Sequence, residues 1–132
     1  MFWKRKKVTV RIDQLGLFEW YDGTWVGQID KKGDDFTFCI EGEISGPGSS
    51  AVTKAKSILE NIEEVTLQAT NYLEEIDISH FTESAGKLKV CGATIKQDTS
   101  YFDLEFYLTE WKDAFVIVHF KNDIPYELSL GD

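Results

Sequence analysis

The chain has 132 residues, 42% of them hydrophobic and 14% aromatic, and a formal net charge of −9. That length builds a core without disulfides or metal, and that apolar content excludes an intrinsically disordered chain. Setting aside Lys4, Arg5, Lys6 and Lys7 leaves ten basic residues against 23 acidic, a body of −13 that repels nucleic acid and anionic membrane and suits a basic partner.

Residues 1–7 read as a basic flexible tail. Met1-Phe2-Trp3 followed by four basic residues lacks the apolar region of a signal peptide. Such a tail supports no more than weak peripheral contact with an anionic membrane, its aromatics inserted and its lysines on headgroups. No apolar run approaches the ~18 residues of a membrane span. Residues 8–132 read as a single α+β domain, and a cytoplasmic, bacterial protein is expected.

Val8, Val10 and Ile12 alternate with Thr9, Arg11 and Asp13, the pattern of a half-buried strand. Two runs, 17–21 and 24–29, flank Asp22-Gly23, a pair that supplies the positive φ values of a two-residue type I′ turn. After a turn at 30–34, Phe36, Phe38 and Ile40 mark the next strand. The glycine- and serine-rich stretch 42–50 is a loop, with Ser49 or Ser50 as the expected N-cap of a helix.

From Ala51 the apolar residues Val52, Ala55, Leu59, Ile62, Val65, Ala69, Leu73 and Ile76 recur at helical spacing. The spacing predicts one helix over 50–76, ~40 Å long, which must cross the sheet diagonally, overhang it or break; Thr66 and Thr70 mark a place for a bend. Strand patterns then return: 88–95 with a bulge near Gly92, a hairpin of 101–108 with 114–120 around 109–113, and an edge strand over 124–130 that contains Pro125. The predicted architecture is an antiparallel sheet of six to seven strands with one long helix packed across one face, in the order β-rich, helix, β-rich.

Chemical signatures are sparse. Cys39 and Cys91 are too few and too far apart for a disulfide scaffold or a zinc site, and both lie in apolar strand patterns, where buried free thiols are the ordinary outcome. His119 shares a strand face with Phe115 and Ile117, whereas His80 falls in a connection; neither forms a metal-ligand spacing with the cysteines. Residues 30–35 lack the spacing and terminal glutamate of a calcium loop. The glycines before the helix lack the Gly-Lys-Ser/Thr ending of a phosphate loop. No metal or cofactor is therefore expected.

The surplus of aromatics is the informative feature. Trp20, Tyr21 and Trp25 cluster about the first hairpin tip and Trp111 lies on the second turn. One helix covers only one sheet face, so rings emerging on the other would form an apolar patch ringed by acids, a recognition surface; the structural alternative is that they complete the core. Trp20, Tyr21, Trp25 and Trp111 are the candidate anchors, and Glu19, Asp22, Asp34 and Asp35 the candidate steering charges. A competing reading is a small enzyme or ligand-binding protein with a cleft near 42–50 and His119, Cys91 and one acid as its polar groups. A third is a homo-oligomeric subunit, a homodimer joined through the helix overhang or the edge strand near Pro125.

The ordered landmarks Leu15-Gly16, Trp25-x-Gly27, the helix from Ala51 through Tyr72-Leu73 and the late paired strands resemble small bacterial domains of unknown function, among them immunity proteins of contact-dependent or polymorphic toxin systems. The resemblance implies a binding role and an acidic surface suited to a basic toxin domain. It carries over no catalytic residue.

Overall fold

The computed structural model describes residues 6–31 and 34–132. Of the expected tail, residues 1–5 lie outside that range, and Lys6 and Lys7 are exposed. The elements run β1 (Thr9–Ile12), β2 (Gly16–Tyr21), β3 (Thr24–Lys31), β4 (Asp34–Glu41), α1 (Ser49–Glu60), α2 (Ile62–Ile76), α3 (Ser79–Thr82), β5 (Leu88–Ile95), β6 (Tyr101–Leu108), β7 (Trp111–Lys121) and β8 (Ile124–Gly131). They make an α+β fold in which strands, helices and strands follow one another, as the patterns indicate.

All eight strands lie in one sheet in sequence order, β1 to β8. Two antiparallel meanders, β1–β4 and β5–β8, meet at β4 and β5, which pair in parallel through Thr37–Ile40 and Gly92–Ile95. The all-antiparallel sheet of six to seven strands is thus corrected to a mixed sheet of eight. A chain that leaves one end of β4 and traverses the sheet through helices re-enters from the opposite end, which makes the next strand parallel.

Local chemistry fixes the turns. Asp22 and Gly23 take φ of 45° and 92°, and Tyr21 pairs with Thr24, as a two-residue turn requires. Asn122 and Asp123, at φ 51° and 65°, turn β7 into β8 in the same way. The β6–β7 connection is shorter than 109–113, because β7 begins at Trp111 and a register shift at Tyr107/Leu108 absorbs the extra residues.

The single long helix is also corrected. Asn61, at φ −108° and ψ 24°, divides it into α1 and α2. Its side-chain Nδ2 donates to the Ser57 carbonyl at 2.9 Å, and its backbone N–H donates to the same oxygen. The two pieces, about 18 and 22 Å long, each match an eight-residue strand of about 27 Å, whereas the undivided helix would have overhung the sheet. The break falls before Thr66 and Thr70. Gly48, not Ser49 or Ser50, is the N-cap, and it brings no side-chain hydrogen bond.

One face of the sheet carries the core. Phe18, Trp25, Phe36, Phe38 and Ile40 come from the first meander; Ile95, Phe102, Leu104, Phe106, Val116, Val118 and Phe120 come from the second. Ala51, Ala55 and Ala69 let the helices approach these rings closely, while Ile58, Ile62 and Leu73 fill the gaps between them. Gly27 is small because the Phe18 ring occupies its side-chain position: a β-carbon there would stand 2.8 Å from the ring. A satellite cluster of Ala85, Leu108 and Ala114 takes in Phe81, Leu88 and Trp111. The helices leave the other sheet face open, and alternate residues of the strands point out from it.

Candidate functional site

The first hairpin tip brings together part of the expected anchor set. Tyr21 is 56% exposed and Ile44, in the loop after β4, is 52% exposed. With half-buried Trp20 they line a groove of about 340 Å³ that also includes Lys6, Lys7, Val8, Glu19 and Asp22. The Trp20 indole is anchored by donating to the Gly42 carbonyl at 3.2 Å. A hydrogen bond to Glu19 holds the Tyr21 phenol above its ordinary pKa.

The other rings go elsewhere. Trp25 is 1% exposed and its indole donates to the Glu43 carbonyl at 2.9 Å, so it belongs to the core and presents nothing to a partner. Trp111 packs on Phe81 with ring centroids 5.1 Å apart, in the satellite cluster at the opposite end of the sheet. Of the steering acids, Glu19 and Asp22 sit beside Tyr21, and Asp35 lies exposed on β4. The Asp34 side chain falls outside the described residues.

A polar ladder, absent from the sequence expectations except for His119, runs along the open face from β4 to β8. Glu41 of β4 accepts from the Gln97 backbone N–H at 3.2 Å and lies 3.6 Å from Nζ of Lys96, the residue that follows β5. Lys96 Nζ is 3.4 Å from Asp103 Oδ2 on β6, and Asp103 Oδ1 is 2.6 Å from His119 Nδ1 on β7. His119 Nε2 is 2.8 Å from Ser129 Oγ on β8. An ionised Asp103 only accepts, so Nδ1 donates to it; Nε2 then accepts from the Ser129 hydroxyl when the ring is neutral and donates to it when the ring is charged. The signal that finds Asp103 is the hairpin register, since pairing 101–108 with 114–120 places it opposite His119.

This connectivity is that of a Ser-His-Asp relay. Nucleophilic work also needs a presented hydroxyl, donors for the developing oxyanion and room for substrate. Ser129 instead sits within the paired length of β8, opposite Ile117, and lines none of the grooves at the first hairpin tip, the 42–50 loop and the β4–β5 opening. The bonds join β6, β7 and β8 side by side. Cys91 does not join it: its thiol donates to the Glu105 carbonyl at 3.5 Å. Burial first, and the Glu105 charge second, push that thiol up to about 11; burial also raises Cys39. Neither is the thiolate that a Cys–His nucleophile requires.

The 42–50 loop frames a polar groove of about 420 Å³ between Glu41, Glu43, the first residues of α1, Gln97 and Thr99. Neither His119 nor Cys91 lines it, so the cleft and the polar groups of the enzyme reading are not brought together. Among the described residues no cluster of His, Cys, Asp and Glu has the arrangement of a metal site, and no helix is long and apolar enough to cross a membrane.

A groove of about 880 Å³ lies where β4 and β5 part. The two strands pair only from Thr37 and Gly92 onward, and towards their starts they separate. A register shift between Val90 and Gly92 makes Cys91 a bulged residue that lines the opening with Asp35, Thr37, Lys89, Glu105 and Tyr107. Thr66 of α2 also lines the groove, and its buried hydroxyl has no hydrogen-bond partner among the described residues.

No family model matches this chain, and no curated protein or solved structure shows significant similarity to it.

Proposed function

We propose that the chain is a non-enzymatic protein-binding domain that recognises a basic partner, with an immunity-type inhibitor of a basic toxin domain as its specific form. The observation that carries this reading is the corner formed by Tyr21, Trp20 and Ile44 beside Glu19 and Asp22. The exposed Tyr21 ring and Ile44 side chain next to solvated acids provide apolar anchoring together with electrostatic steering, the combination from which specific protein interfaces are built. The net charge of −9, which counts the Lys6 and Lys7 that line the groove, extends the steering beyond the patch.

The test is affinity capture from lysate at low and high salt, followed by kinetics on the identified partner. Tyr21→Ala is expected to speed dissociation by about tenfold or more. The double variant Glu19→Lys/Asp22→Lys is expected to slow association and flatten its salt dependence. Association unchanged by all three substitutions overturns the assignment of this corner. Edge strand β8, with exposed Ile124 and Tyr126, favours self-association as the second reading, which light scattering decides.

A further inference from the structure

We propose that the split between β4 and β5 is a second contact site, which receives an extended peptide segment of the partner, bearing a basic side chain, as an added strand. The inference rests on the protein-binding reading and assigns it a mode of engagement that the Tyr21 corner does not supply.

The geometry starts from the sheet itself. The first residues of β4, Asp34–Phe36, pair on one side with β3, and Leu88–Val90 of β5 pair on one side with β6. Their other sides face each other across the gap, beyond the four-residue seam at Thr37–Ile40 and Gly92–Ile95. Alternate residues of each strand therefore direct backbone N–H and C=O groups into an opening, where an incoming backbone can pair with them. A segment laid into the mouth of this opening meets unpaired edges of both strands at once. Among the described residues the edge strands β1 and β8 offer one row of such groups each; the split offers two rows and a floor.

The floor and walls point to the chemistry of the occupant. Thr66 places an unpartnered buried hydroxyl beneath the gap, where it can donate to or accept from a peptide group. Asp35 and Glu105 stand at the walls, and Tyr107 adds a half-exposed ring. Two carboxylates and one lysine leave the opening acidic, which favours a Lys or Arg on the incoming segment. Gly92 sets where the segment stops. A β-carbon there would stand 2.8 Å from the Thr37 carbonyl oxygen, so β5 closes on β4 at this point and the wedge ends. The insertion length on the β4 side is three residues, about 10 Å. Strand addition of this type gives affinity through the main chain and specificity through side-chain pockets.

The experiment pans the full-length chain against a displayed library of random linear dodecapeptides and measures the enriched peptides by calorimetry. Expected are peptides with β-type alternation and at least one Lys or Arg, weakened about tenfold by Asp35→Lys/Glu105→Lys and about threefold to tenfold by Thr66→Val. Bound peptide is also expected to shield Cys91 from alkylation at pH 10, while thermal melts show that the variants without peptide remain folded. Failure to enrich any peptide, or enrichment of peptides that neither shield Cys91 nor respond to these substitutions, overturns the proposal. A cognate partner whose affinity drops with Tyr21→Ala but not with the split variants overturns the strand-insertion mode alone and leaves the protein-binding reading standing. A small molecule that shields Cys91 where no peptide does overturns the peptide assignment of the split.

Discussion

Gly92 lies so close to Thr37 across the β4–β5 seam that a β-carbon added to it would stand 2.8 Å from the Thr37 carbonyl oxygen. The obstacle is backbone, held in place by the pairing of Thr37 with Gln28 on β3. Gly92→Ala is therefore expected to lower stability by about 1–3 kcal/mol, read as a reduced urea midpoint. An unchanged midpoint would show that the seam adjusts without cost.

The rings named from sequence divide into two classes that stability measurements separate. Trp25 is buried and hydrogen-bonded to the Glu43 carbonyl, so Trp25→Ala is expected to cost about 3–5 kcal/mol. Tyr21 is exposed, and Tyr21→Ala is expected to stay within about 0.5 kcal/mol. Thermal melts of the two variants decide this directly.

The ladder through Asp103, His119 and Ser129 is expected to act on stability and not on turnover. Ser129→Ala removes one hydrogen bond and costs about 0.5–1.5 kcal/mol. A double-mutant cycle on Asp103 and His119 is expected to give coupling of about 1 kcal/mol in urea unfolding. A fluorophosphonate probe is expected to leave Ser129 unmodified; covalent labelling lost in His119→Ala would instead reveal an activated hydroxyl.

The Cys91 thiol supplies a pH dependence whose sign follows from its cause. Burial and the Glu105 carboxylate penalise the thiolate and raise the pKa from 9.0 to about 11. Below pH 9 the thiol keeps its proton in folded and unfolded chains alike, and its full contribution to stability is present. Between 9 and 11 the unfolded chain releases the proton while the folded chain holds it, so the contribution falls as pH rises. Iodoacetamide modification of Cys91 is expected to be slow at pH 8 and to accelerate toward pH 11. Glu105→Gln should move the profile to lower pH, and rapid modification at pH 7 would contradict the assignment.

The parts of the fold legible in the sequence were those governed by neighbouring residues. Asp22-Gly23 specifies its turn through positive φ, and the alternation of Phe36, Phe38 and Ile40 separates the two faces of β4 without help from the rest of the chain. The helix division at Asn61 was hidden because the apolar stripe continues across it from Ile58 through Ile62 to Val65. The parallel direction of β5 was hidden because a period of two is the same in either direction. Trp20 and Trp25 look equivalent on paired strands, and both indoles donate to the loop after β4; Trp25, on the inner strand between β2 and β4, is covered on both sides, whereas Trp20 lies nearer the sheet edge at the rim. The split between β4 and β5 had no sequence signal beyond the glycine that marks the bulge, since it depends on where two strands 50 residues apart cease to touch.

Sequential strand order has a kinetic consequence. Each meander is contiguous in the chain, so its strands can associate as local ribbons with short loops to close. Only the four-residue seam between β4 and β5 demands closure across the intervening helical segment, which costs loop entropy once. Zipping this seam is therefore expected to come late in folding, after each meander has formed, while the core shared by both meanders and the helices ties the two halves into one body.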